Sequence, residues 1–200
     1  MAERVKVGVL LSGRGSNFEA ISEYKRKDPD RAYDIALVAS NVPEARGLVL
    51  ARRFGIPIWA QSHKGMDRAA FDDLVDAELR RHGVEVVVLA GYMRLLSCEF
   101  VEKWEGRVLN IHPSLLPAYK GLDTHGRAIQ AGEEYAGCSV HIVTAELDDG
   151  PVVGQRKVKI LPRDDPETLA ARVLREEHKL YPETLDRFCR EILEARKDVG

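Results

Sequence analysis

The sequence has little of what would tie a chain to a membrane, a metal or a polyanion. Its three cysteines, Cys98, Cys138 and Cys189, are odd in number and far apart. No disulfide framework, zinc site or CxxC redox motif can be built on that spacing. They read as reduced thiols in or near the core of a cytoplasmic protein. No apolar stretch approaches the ~20 residues of a membrane span, and the run that starts at Val5 is too short for a signal-peptide core. Thirty Lys and Arg against 32 Asp and Glu leave a formal charge of −2. That balance gives no footprint for nucleic acid or an anionic membrane. There is no three-histidine or Cys/His cluster, so no metal site is expected. Aromatic residues make up only 6%, but 44% of the chain is hydrophobic and 31% charged. Those proportions belong to globular chains and not to disordered ones. At 200 residues the chain fits a single domain over 1–200, long enough to bury roughly 70% of its unfolded surface without staples.

Apolar runs alternate with helical periods. Val5 to Leu11 reads as a buried strand leading through a glycine turn into a helix near Phe18. Ile35 to Ala39 is a second strand, Arg46 to Phe54 a helix, and Pro57 to Ala60 a short strand. Phe71, Leu74, Val75 and Leu79 mark one helical face over Asp67 to His82, before strands at Val84 to Ala90 and Arg107 to Ile111. This alternation predicts an α/β fold: an open, mostly parallel sheet of Rossmann-like β-α units with helices on both faces. Such sheets bind ligands beyond the carboxyl ends of their strands, so residues just after Leu11, Ala90 and Ile111 should share a crevice. Farther on, Cys138 to Val143 and Val152 to Ile160 flank Asp148-Asp149-Gly150-Pro151 as a hairpin would, adding antiparallel strands to the sheet. Asp165 and Pro166 open a helix, and a second is expected from about Pro182.

The glycine turn, Ser12-Gly13-Arg14-Gly15-Ser16-Asn17, sits between a strand and a helix. Helix N-termini offer unpaired N–H groups to an anion, and glycines allow close approach. A dinucleotide fingerprint would need a glycine where Phe18 stands, and a Walker loop would need a Gly-Lys-Ser/Thr ending. A small phosphate monoester therefore suits the loop better than a dinucleotide, with a plain tight turn as the bland reading.

Asn110 and His112 lie two apart at the end of a strand, so both side chains point to one side. The prolines Pro113 and Pro117 restrain the backbone that follows. A lone histidine is usually a satisfied structural group. An amide and an imidazole sharing a face at a carboxyl end weaken that reading. Asp148 is the candidate carboxylate partner, although aspartate is also an ordinary turn former. His141 on the preceding strand either fixes the site or only packs. His63, His82 and His178 show no comparable grouping.

Taken together, SGRGSN, VVVLAGYMRLLS, NIHPSLLP, SVHIVTAELDDGPV and the Glu177-His178 pair resemble the glycinamide ribonucleotide formyltransferase family over nearly the whole chain. The resemblance implies transfer of a formyl group from 10-formyltetrahydrofolate, as co-substrate, to the primary amine of glycinamide ribonucleotide in purine synthesis. It implies that Asn110, His112 and Asp148 are catalytic, and that Gly15, Ser16, Asn17 and Glu177 hold the ribonucleotide. Arg68, Met93, Arg94, Leu95, Leu96 and Asn110 would contact the folate. It further implies ribonucleotide binding mainly by the N-terminal half and folate binding by the C-terminal half across one shared cleft, in a cytoplasmic monomer or homodimer with small-molecule partners. Ala118 and Asp123 depart from the usual pattern and leave the geometry of that loop open. Related formyl-folate enzymes are the nearest rivals. A transfer-RNA formyltransferase calls for an extra domain and a basic surface, and a formyltetrahydrofolate deformylase calls for an added amino-terminal domain. A non-catalytic nucleotide-binding module would keep the loop without needing the trio.

Overall fold

A computed structural model describes residues 3–197. Seven strands form one sheet in the order β3-β2-β1-β4-β5-β6-β7. The strands are β1 Val5–Leu11, β2 Tyr33–Ser40, β3 Ile58–Ala60, β4 Val86–Leu89, β5 Val108–His112, β6 Tyr135–Ile142 and β7 Val152–Lys159. β1 to β5 pair in parallel, and β6 and β7 are added antiparallel, as the pattern predicts. The helices are α1 Ser16–Lys27, α2 Arg46–Arg53, α3 Arg68–Arg81, α4 Cys98–Lys103, α5 Thr124–Gln130 and α6 Pro166–Lys197.

Strand alternation divides the core into two layers. Val5, Val7, Val9 and Leu11 of β1 face α1, α2, α5 and α6, where Phe18, Ile21, Leu48, Val173 and Leu185 meet them. Leu10, with Val87 and Leu89 of β4 and Val108 of β5, faces Phe71, Val75 and Leu79 of α3 and Phe100 of α4. Asp67 starts α3 by accepting hydrogen bonds from the amides of Ala69 (2.9 Å) and Ala70 (3.2 Å).

Three expectations need correction. The carboxy-terminal region is one 32-residue helix with Pro182 inside it, not two helices. An interior proline removes one helical hydrogen bond and costs about 3 kcal/mol. The stripe Leu169, Val173, Leu180, Leu185 and Cys189 stays buried on both sides of Pro182, and Tyr181 donates to the carbonyl of Leu109 at 2.9 Å. Packing against the sheet therefore overrides the local penalty. The connection between β6 and β7 is not a tight turn at Asp148–Pro151 but the whole segment 143–151. It returns so closely that a Cβ on Gly150 would lie 1.7 Å from the carbonyl oxygen of Ile142. Cys138 and Cys189 are buried, but Cys98 is exposed at the first position of α4, whose Phe100 and Val101 turn inward instead.

Candidate active site

Strand register brings the trio together. Asn110 of β5 pairs directly with His141 of β6, so both side chains project from the same face of the sheet. The Asn110 Nδ2 lies 3.1 Å from the His141 Nε2. The segment 143–151 crosses this face and carries Asp148 back over the strands. Its Oδ2 lies 3.3 Å from the His112 Nδ1, and its Oδ1 lies 3.5 Å from the His141 Nε2. The amide of Gly121 donates to Asp148 Oδ2 at 3.0 Å. The other His112 nitrogen, Nε2, meets the carbonyl of Tyr119 at 3.0 Å. Both His112 nitrogens therefore face oxygen acceptors, and a ring protonated on both satisfies them.

His112, His141 and Asp148 are each buried. Burial pushes the Asp148 carboxyl up, but His141, the Gly121 amide and the nearby His112 outweigh it and hold the group below its ordinary value. Asp148 is thus an anion placed among donors. His141 belongs to this cluster; its place opposite Asn110 in an antiparallel pair was the signal for it.

Beside the trio opens a cavity of about 220 Å³. Leu89, Asn110, His141 and the 143–148 segment line it, together with Arg68, Tyr92, Arg94, Leu95, Leu96, Cys98 and Val101. Its lining comes from both halves of the chain. Of the residues expected here, Arg68, Arg94, Leu95, Leu96 and Asn110 are present. Met93 is not: the residue is 76% exposed, and its backbone amide donates to Ser12 Oγ at 2.7 Å. Tyr92 was not singled out in the sequence, yet it lines the cavity, and its buried hydroxyl has no partner among the described residues. Burial raises its pKa. Arg94 lies over the Phe71 ring at 5.1 Å, which steadies a cation beside the apolar wall.

The glycine loop lies at the end of β1. Gly15 is the N-cap of α1 in the left-handed region, with φ 78° and no side-chain cap on the helix. A Cβ there would also come within 2.8 Å of the Gly47 Cα. Only glycine fits, and the first amides of α1 stay free for an anion. Asn17 of α1 donates from Nδ2 to Glu177 Oε2 of α6 at 2.9 Å, joining two expected ribonucleotide residues 160 positions apart. Asn17 Oδ1 is buried without a partner among the described residues. Burial raises the pKa of Glu177, with the Asn17 bond opposing it.

The loop ends are tied together. Ser12 Oγ donates to Asn41 Oδ1 at 2.6 Å, and Asn41 contacts the His63 Nδ1 at 2.9 Å. The crevice expected after β1 and β4 is thereby bridged through Ser12, whose amide also donates to Gly91 O at 3.1 Å. His63, dismissed on the sequence, buttresses that bridge.

Known proteins resemble this chain both in sequence and in fold. The formyl transferase family pattern matches residues 5–185. The phosphoribosylglycinamide formyltransferase of Escherichia coli (strain K12) is 43% identical over 186 residues, covering 92% of this chain and 87% of that one. The trifunctional purine biosynthetic protein adenosine-3 of Gallus gallus is 45% identical over 183 residues; the match takes in 91% of this chain but only 18% of that longer protein. The crystal structure of glycinamide ribonucleotide transformylase 1 from Symbiobacterium toebii superposes with a TM-score of 0.90 at 39% identity, covering 96% of this chain and 90% of that one.

Proposed function

The chain belongs to the formyl transferase family, and we propose that it moves the formyl group of 10-formyltetrahydrofolate onto the primary amine of glycinamide ribonucleotide. The products are formylglycinamide ribonucleotide and tetrahydrofolate, within purine synthesis. The observation that carries this reading is the meeting of Asn110, His112 and Asp148, joined through His141, beside a cavity with both apolar and cationic walls.

The cavity suits the folate. Leu89, Leu95, Leu96, Val101 and Val143 give its walls apolar surface, and Arg68 and Arg94 supply cations for a carboxylate tail. The glycine loop with Ser16 takes the ribonucleotide phosphate, and Asn17 with Glu177 offers acceptors toward the amine end. The site must then hold two reactants in line and stabilise an oxyanion. The amine nitrogen attacks the formyl carbon, and the formyl oxygen gains negative charge. The Asn110 amide carries two protons on Nδ2, of which one can be directed to that oxygen. On releasing one of its two acceptors, Asp148 or the Tyr119 carbonyl, His112 supplies a second donor and delivers a proton to the folate nitrogen as its bond to carbon breaks. Asp148 keeps His112 in place and accepts the proton that the amine loses, through a water. One proton leaves the amine and one reaches the folate nitrogen, so the transfer needs no other reactant.

No helix among the described residues is long and apolar enough to cross a membrane. On the present reading the whole chain is one formyltransferase domain with one shared cleft, working in the cytoplasm. The test is formyl transfer followed by folate absorbance, with the ribonucleotide present and then omitted. Release of tetrahydrofolate only when it is present supports the transferase. Release in its absence indicates hydrolysis, and no release leaves a binding module.

A further inference from the structure

Two loops meet at Asp148, and both are held in uncommon backbone conformations. Tyr119, Asp123 and Asp148 have φ of 56°, 52° and 50°, and they are the non-glycine residues with positive φ among those described. Such conformations persist only where the surroundings over-determine them. The loop after β5 supplies the Tyr119 carbonyl to His112 and the Gly121 amide to Asp148. Between those two residues stands Lys120, and its ammonium pairs with Asp149, the neighbour of Asp148 on the other loop. Arg127 of α5 secures the same loop by donating to the carbonyl of Lys120 at 2.7 Å and that of Leu122 at 3.2 Å.

We propose that Lys120 and Asp149 are positioning residues: a charge clip that joins the two loops and so sets the distance between Asp148 and His112. The inference rests on the formyl-transfer reading for its kinetic arm only. The pair sits at the surface, with side chains 37% and 43% exposed. Water screens such pairs, so each contributes modestly. Its leverage comes from position, because each member adjoins a residue that touches the trio. Neither side chain makes a hydrogen bond or ion pair with Ser16, Asn17 or Glu177, the proposed ribonucleotide residues, among the described contacts, so substrate affinity there is expected to be independent of the clip.

The test uses the full chain as wild type, Lys120→Ala, Asp149→Ala and the exchanged pair Lys120→Asp/Asp149→Lys. Two quantities are read: kcat and KM at saturating co-substrate, and amide hydrogen exchange over residues 143–151. The expected result is a kcat loss of roughly 3- to 5-fold in each single variant, with KM for the ribonucleotide unchanged. Exchange over 143–151 accelerates in both, and the exchanged pair recovers most of each effect. Wild-type kcat and exchange in both single variants would overturn the proposal. So would losses that charge exchange fails to restore, since the residues would then act separately. If an alanine variant does not fold, Lys120→Gln and Asp149→Asn carry the same comparison. A wild type that transfers no formyl group would defeat the functional reading, while the exchange measurement would still decide the clip.

Discussion

Replacing Asp148 by asparagine separates the chemistry of this site from its architecture. Asparagine keeps the length of the side chain and one oxygen, so the Gly121 amide retains an acceptor where it now meets Asp148 Oδ2 at 3.0 Å. The negative charge facing His112 at 3.3 Å and His141 at 3.5 Å is lost. A hydrogen bond to a charged group contributes about 1.5–3 kcal/mol. Loss of one such contact in the transition state, near 2.7 kcal/mol, lowers kcat about 100-fold. The assay is turnover at saturation with both substrates, beside thermal unfolding of the same preparation. The unfolding carries its own sign. Asp148 has a depressed pKa in the folded protein, so its contribution to stability is present above the unfolded value, about 3.9, and is lost as pH falls through the folded value. The variant should therefore be less stable than wild type at neutral pH, with the gap closing below about pH 4. A folded Asp148→Asn protein turning over within about 3-fold of wild type would remove Asp148 from the mechanism.

Glu177 runs the opposite way. Burial raises its pKa, so its contribution favours the folded state below the unfolded value and turns against it as pH rises. Glu177→Gln should raise the melting temperature at pH 7–8, lose that advantage in acid and raise KM for the ribonucleotide; an unchanged KM would detach Glu177 from substrate binding. Ser16→Ala should raise KM for the ribonucleotide with folate affinity nearly constant, and equal loss for both would indicate a damaged fold instead. Gly15→Ala must place a Cβ at 2.8 Å from the Gly47 backbone at positive φ, so a destabilisation of about 1–3 kcal/mol by denaturant unfolding is expected, together with weakened phosphate binding. His112→Ala should cost kcat at least about 100-fold, checked against unchanged ribonucleotide binding in calorimetry.

What could be read from the sequence followed periodicity and spacing. The strands of the parallel region and α3 announce themselves through apolar runs and a 3.6-residue stripe, and Asn110 and His112 share a face because a strand repeats every two residues. α4 and α5, of six and seven residues, are too short to show a period, and α5 starts after an Asp123 in the left-handed region. The Pro182 break follows local preference, which packing of α6 against α1, β6 and β7 overrules. Met93 and Leu96 look alike as apolar letters in one motif, yet the backbone turns Met93 outward while Leu96 lines the cavity. Which letter faces inward in an irregular segment is a property of the folded backbone that no spacing rule supplies.

The change of strand direction at β6 explains why a chain of this topology can assemble such a site. In the parallel region each strand end leads into a loop and a helix, and α3 and α4 cover the face that bears Leu89 and Val108. An antiparallel β6 needs no crossover helix, so the face over Asn110 and His141 is left to the 143–151 segment. A loop can bring a carboxylate against two imidazoles on neighbouring strands, whereas a covering helix would fill the space with apolar side chains. The cavity lies between α4 and that loop, lined by Val101 of α4 and by Val143 to Asp148. The glycine loop and α6, on the opposite layer, approach the same strand ends from behind. On the proposed function, the two reactants meet at the carboxyl ends of the strands, where β5 presents Asn110 and His112 on one face.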